Sequence, residues 1–209
     1  MSIENISALA TGVGTLILAV ATFFATSSAN RAARTAELAM QIGQRPLLMA
    51  SKLSDERQKI MFADDHWVHV DGGGAGFEYA NGVVYFVISV RNVGPGVAVM
   101  QGWLPHAERR NAAYPRADTS EFRAHTRDLY VPPGDIGLWQ GALRDPDAGD
   151  QAPFVEAVQE RRSISIDVLY SDAEGGQRTV TRFGLIPSDS GGWVASVVRH
   201  WRLDGTNPR

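Results

Sequence analysis

The hydrophobic pattern changes character once along this chain, near residue 46. Before it, residues 5–30 carry no charge, and Ile6, Leu9, Val13, Leu16, Ile17, Leu18, Val20, Phe23 and Phe24 recur among small residues. As a helix rising about 1.5 Å per residue, the stretch from Ile6 to Ala25 is roughly 30 Å long, the thickness of a bilayer's hydrocarbon core. The pattern predicts a transmembrane helix within residues 1–28, diluted by Ser7, Thr11, Gly12, Gly14, Thr15 and Thr22. Two other readings fit less well. A cleaved signal peptide needs a cationic leader, whereas residues 1–5 offer Glu4 and no basic side chain. A soluble core helix would carry a polar stripe that is missing here.

Residues 29–45 form the second predicted segment. Asn30 to Ile42 is rich in good helix formers and made water-compatible by Arg31, Arg34 and Glu37, so the helix is expected to continue as a stalk until Gly43 and Pro46 stop it. From 46 to 205 the period becomes two, the mark of strands. Val83 to Val90 is apolar on both faces and reads as a central strand. The turn Asn92-Val93-Gly94-Pro95-Gly96 follows, and Val97 to Trp103 is expected to return beside that strand. Ser163 to Tyr170 alternates cleanly, predicting one core face and one mostly solvated face. Further strands are expected at 47–53, 66–70, 127–131, 136–140, 178–185 and 193–203. A hairpin is expected through Ser171–Gly176, and one helix over Ala152 to Arg161 with Pro153 in its first turn. The fold class is mainly β, an antiparallel immunoglobulin-like sandwich with one short helix, ending in a flexible tail at 206–209. No βαβ alternation appears, which argues against a Rossmann-type sheet.

Charge and composition narrow the partners. The net charge of −3 leaves no basic surplus for nucleic acid, and the absence of cysteine removes disulfides, thiolate nucleophiles and zinc–thiolate sites. Lysine occurs only at Lys52 and Lys59 against many arginines, a bias seen in G+C-rich bacterial genomes. Arg31, Arg34 and Arg45 follow the apolar span and no cation precedes it, so the bulk of the chain is expected on the cytoplasmic side of a bacterial membrane. Ala8 with Gly12 and Ala10 with Gly14 set small residues four apart, as do Thr15 with Ala19 and Ala21 with Ala25. That spacing lets two membrane helices approach closely and makes homo-oligomerisation an expectation.

The segment Tyr85-Phe86-Val87-Ile88-Ser89-Val90-Arg91-Asn92-Val93-Gly94-Pro95-Gly96-Val97-Ala98 resembles the strand, Asn-x-Gly-x-Gly turn and strand of immunoglobulin-like modules of the CARDB kind. With the apolar helix, Arg45-Pro46, Val131-Pro132-Pro133-Gly134 and Tyr170-x-Asp172, the chain is similar to membrane-anchored actinobacterial proteins of unknown function. The resemblance implies a sandwich with an adhesive or scaffolding role and transfers no catalytic residue.

Candidate chemistry is sparse. Asp64, Asp65, His66 and His69 are metal-ligating types, but three residues apart on a strand sends the histidines to opposite faces. Ser188-Asp189-Ser190-Gly191-Gly192 resembles a serine-protease nucleophile loop without its histidine motif, since only His200 follows, and reads as a surface turn. Gly72-Gly73-Gly74-Ala75-Gly76 opens no helix and supplies no lysine, so it reads as a flexible loop rather than a phosphate cradle. His106, Glu108, Arg109 and Arg110, and separately Asp145, Asp147 and Asp150, read as solvated loops. Trp193 and Trp201 share strand parity with Val197 and Leu203, placing them in the core. No catalytic residue, cofactor or metal site is assigned. The expected function is a membrane-tethered module that binds an unidentified protein. The alternatives are a membrane-bound hydrolase or metal enzyme using Asp64, Asp65, His66 or His69, and a ligand sensor signalling through helix association.

Overall fold

A computed structural model describes residues 3–189 and 191–204. It divides into two compact units, Met1–Gly43 and Gln44–Arg209. The first is one uninterrupted helix, Ile3–Gly43 (α1), about 60 Å long at 1.5 Å per residue. Span and stalk are therefore continuous. Its stretch Gly12–Glu37 reaches a mean hydropathy of 1.6 with no part buried, and is long and apolar enough to cross a membrane. Val13, Leu16, Ile17, Leu18, Val20, Phe23 and Phe24 are all exposed, Phe23 by 71%. Thr22 and Thr26 donate their hydroxyls to the carbonyls of Leu18 (2.7 Å) and Thr22 (2.8 Å), so both are satisfied within the helix. Nothing packs over Gly12 or Gly14. The side chains of Ile6, Ala8, Leu9 and Ala10 lie outside the described residues, as does the 206–209 tail.

The second unit is mainly β. Its strands are Leu48–Ala50 (β1), Gln58–Met61 (β2), Trp67–Val70 (β3), Gly74–Ala80 (β4), Val83–Asn92 (β5), Ala98–His106 (β6), Arg123–Val131 (β7), Ile136–Leu143 (β8), Ile164–Ser171 (β9), Thr179–Pro187 (β10) and Trp193–Arg202 (β11). The helix Ala152–Gln159 (α2) stands between β8 and β9. One curled antiparallel sheet forms two leaves. The first is β8, β5 and β4, with β1 also on β5, and the second is β11, β10, β9, β6 and β7. They are stitched at one seam by two residue pairs, Trp193 with Ala75 and Val194 with Gly74. At the other seam β7 pairs only with β6 and β8 only with β5, so no ladder joins them.

The main core fills the space between the leaves. Val84, Phe86, Ile88 and Val90 of β5 face Ile164, Ile166, Val168 and Tyr170 of β9, and Phe154 of α2 sets its ring edge-on to Phe86 at 5.4 Å. The opposite face of β5, Tyr85 and Val87, is covered by the separate β2–β3 hairpin through Val68 and Val70. That second cover explains why β5 is apolar on both faces.

Four expectations are corrected. The strand after Gly96 does not return beside β5; β6 pairs with β7 and β9 and so crosses to the second leaf. The buried Asn92 side chain holds this crossing. Its oxygen accepts from Leu47 N (3.1 Å) and Gly94 N (3.0 Å), and its amide nitrogen donates to the carbonyls of Gly96 (2.6 Å) and Val131 (2.9 Å). A Cβ on Gly96 would collide with the Gln44 backbone. Second, β9 is buried along its whole length rather than on one face. The connection 107–122 lies over its outer side, and Arg110 N donates to Ser165 Oγ at 2.8 Å. Third, the glycine run is not a flexible loop. Gly72 to Ala75 are buried, Gly73 turns with φ +69° while its N–H donates to Ser51 Oγ, and Gly74 begins β4. Fourth, Trp193 and Trp201 are both buried but on opposite faces. Arg182 pairs with Arg199 and Phe183 with Val197, so Val198 is a bulge that flips the parity between them.

Candidate functional site

Residues singled out from the sequence take structural places. Asp64 and Asp65 form the β2–β3 turn, where Asp65 has φ +59°. The Tyr85 hydroxyl donates to Asp64 at 2.7 Å, and burial together with that bond pushes the phenol up to about 12. His66 stacks on Tyr85 at 4.2 Å and meets Glu78 at 2.7 Å, whereas His69 is exposed on β3. Among the described residues no three histidines or carboxylates gather as a metal site would require. Ser188, Gly191 and Gly192 form the β10–β11 turn, clasped by Arg161 through their carbonyls at 2.9–3.1 Å; Ser190 lies outside the described residues. His200 is on β11 and bonded to Thr181 at 2.7 Å. Asp145 caps the turn Pro146–Ala148, and Asp150 pairs with Arg123.

His106 is not solvated. It ends β6, buried, with Nε2 at 3.2 Å from Asp167. Asp167 and Arg182 are completely buried and form a bidentate pair at 2.7 and 2.8 Å. Arg182 also donates to the carbonyls of Tyr114 and Pro115, both at 3.2 Å, and lies over the Trp201 ring at 4.8 Å. Burial pulls the Asp167 carboxyl upward, but bonds from Arg182 and His106 outweigh it and hold the group below the usual carboxylate range. This network pins the 107–122 connection to the second leaf. Its polar groups answer one another, which marks it as structural.

The open seam is different. Where β7 and β8 diverge there is a cleft of ≈ 330 Å³, walled by Phe62, Trp103 and Leu129 and by the polar side chains of Arg127, Gln140 and Arg144. Its shape follows from register. Met100 pairs with Leu129 and Gly102 with Ala124, so residues 125–128 of β7 stand opposite Gln101 alone and bulge out of the ladder. His125, on that bulge, accepts at Nε2 from the indole N–H of Trp139 (3.1 Å). An indole can only donate, so the imidazole is neutral with its proton on Nδ1. Burial, with Arg127 nearby, pushes its pKa down to about 4.

The cleft's charges are unequally answered. Arg123 pairs with Asp150, and Arg144 approaches Asp64 at 3.5 Å. The Arg127 side chain is exposed and has no hydrogen bond or ion pair among the described residues. The Gln140 side-chain oxygen is buried without a partner; the two other such atoms, on Gln58 and Arg91, do not line the cleft. Arg123, His125, Arg127, Gln140 and Arg144 were not singled out as candidate chemistry in the sequence. The available signal was Arg123, His125 and Arg127 at alternate positions of one segment.

Fold and site together define a β-rich domain following an apolar helix, with an open polar seam. No family model and no curated protein matches the chain. Among solved structures it is similar to a protein from Archaeoglobus fulgidus, at 10% identity and a TM-score of 0.24 over 73% of this chain and 98% of that one. A Northeast Structural Genomics Consortium target, SoR45, is similar at 10% identity and a TM-score of 0.22 over 76% and 84%. Scores this low transfer neither fold nor function.

Proposed function

We propose that the chain is a single-pass bacterial membrane protein in which α1 tethers an immunoglobulin-like sandwich that binds a protein partner without transforming it. The observation that carries the tether is the all-round exposure of the apolar stretch Gly12–Glu37. In water such a surface would aggregate, and in a bilayer it is stable. Arg31, Arg34 and Arg45 orient the sandwich toward the cytoplasm, and Gly12 and Gly14, with Ala8 and Ala10, offer a face for self-association. The test is alkaline carbonate extraction of cell membranes, combined with a reporter fused after Arg209. Retention in the pellet, lost when Leu16 and Leu18 are both replaced by lysine, supports the anchor. Release of the unmodified chain would refute it, and an externally active reporter would reverse the orientation.

A second reading, a ligand sensor whose signal passes through helix association, is favoured by the cleft at the β7–β8 seam. Arg127 and Gln140 line a space large enough for a small molecule.

A further inference from the structure

We propose that the cleft between β7 and β8 binds a small organic monocarboxylate with an apolar body, Arg127 taking the carboxylate and the Gln140 amide a second polar group. The proposal rests on the ligand-sensor reading for its biological role and adds the chemistry of the ligand. Four observations lead to it. Size comes first: ≈ 330 Å³ lies at the lower end of the ~300–1,000 Å³ of ligand pockets, which admits a small molecule.

Charge comes second. Three guanidinium groups reach the cleft and no carboxylate lines it, which excludes a cation. Two of the three are already answered, by Asp150 and by Asp64, leaving the single charge of Arg127. A dianion such as phosphate would demand a second free cation. His125 cannot supply it, because the Trp139 indole donates into its Nε2 and fixes the ring as neutral. One net charge matches one carboxylate, and a guanidinium fork meets a carboxylate with two parallel bonds.

The third observation is the unmet valence of Gln140. Its oxygen is sealed from the cleft, but its amide nitrogen also has no partner among the described residues and is free to donate to a ligand hydroxyl. The fourth is the wall. Trp103, with the Arg123 guanidinium over its ring at 5.8 Å and Trp139 edge-on at 5.6 Å, joins Leu129 and Phe62 in an apolar lining that suits an apolar ligand body.

The experiment uses the full chain in detergent micelles. Aromatic and branched aliphatic monocarboxylates, each with its neutral amide and its amine counterpart, are screened by saturation-transfer NMR and titrated calorimetrically. Carboxylates bearing a hydroxyl are expected to bind saturably, with amides weaker by about tenfold or more, the worth of one charge-assisted hydrogen bond. Arg127→Gln should bring the carboxylates down to the level of their amides and leave the amides unchanged; being exposed, this position tolerates the change. Gln140→Met should weaken hydroxylated carboxylates and spare unhydroxylated ones. The proposal is overturned if no carboxylate binds below about 10 mM, if amides bind equally well, or if Arg127→Gln has no effect. Helix association is followed in parallel by energy transfer between labelled chains. Carboxylate binding without a change in transfer keeps the site and sinks the sensor reading. Amide or amine binding that alters transfer does the reverse.

Discussion

Two polar clusters on the second leaf and its margin invite comparison, because both are built around arginine and only the first is shielded from bulk water. At Asp167, Arg182 and His106 the carboxylate, the guanidinium and nearby loop carbonyls satisfy one another, and both members of the ion pair are fully buried. At the β7–β8 cleft Arg127 has no partner among the described residues and the Gln140 oxygen has none either. A buried polar group left unanswered raises the energy of the protein alone, whereas an answered one holds loop to sheet. The first cluster therefore belongs to folding, and the second is the one proposed to bind a ligand. The two respond to perturbation in opposite ways.

The largest effect is expected at the closed cluster. Arg182→Met leaves the Asp167 charge buried with only His106 for company and strips Tyr114 and Pro115 of their donors, at a cost of about 3–5 kcal/mol. Thermal unfolding of the full chain in micelles, followed by near-ultraviolet circular dichroism, measures the loss. Arg182→Met combined with Asp167→Leu should recover most of it, since an apolar pair replaces a buried ion pair at little cost. Equal loss in the single and double variants would show that the network is not a self-contained unit.

A pH series gives the next effect, smaller and graded. The His125 pKa falls from 6.5 unfolded to about 4 folded, so the unfolded chain binds the extra proton first. Stability is complete above pH 6.5 and falls as the pH drops toward 4. At about 1.4 kcal/mol per unit, discounted for partial access to solvent, the loss is roughly 2 kcal/mol. Burial lowers His200 as well, and it acts in the same direction. Asp167, held low by Arg182 and His106, contributes only below the usual carboxylate pKa, where its protonation removes the pairing. His125→Gln keeps an acceptor for Trp139 and should flatten the slope between pH 4 and 6.5. An unchanged slope would assign that range to other groups.

The contrast also explains what the sequence could reveal. A β-branched run apolar on both faces announced β5 and alternation announced β9, because strand preference and side-chain period are local properties of a segment. Strand was expected from Phe77 onward, but the glycine run hid the first residues of β4, since a strand begun on Gly74 and Gly76 has few side chains to alternate. Its purpose emerges only in three dimensions, where a Cβ on Gly76 would come within 2.8 Å of Val68. Ser165 and Asp167 signal solvent in the sequence, but the 107–122 connection covers them and Arg182, fifteen residues beyond Asp167, completes the network. The Val198 bulge broke the parity joining Trp193 to Trp201, as one inserted residue always does. The cleft was the least legible feature. It arises from a missing ladder and a bulge in β7, and no single segment encodes an absent pairing.

The smallest effect on stability is expected in the cleft, and its sign is the informative part. Gln140→Met exchanges a buried, unpartnered amide oxygen for a thioether of similar length beside Leu129 and Trp103. Removing an unsatisfied acceptor relieves a desolvation penalty, so stability should stay level or rise by up to about 1 kcal/mol. A core glutamine with an internal partner would lose stability on the same exchange, as Gln151 should, because its amide donates to the Leu143 carbonyl at 2.7 Å. The pair of variants, melted side by side without added ligand, separates a group that folding uses from one that it does not. Loss of stability at Gln140 equal to that at Gln151 would mean that the oxygen is satisfied in solution, and the distinction between the clusters would fall.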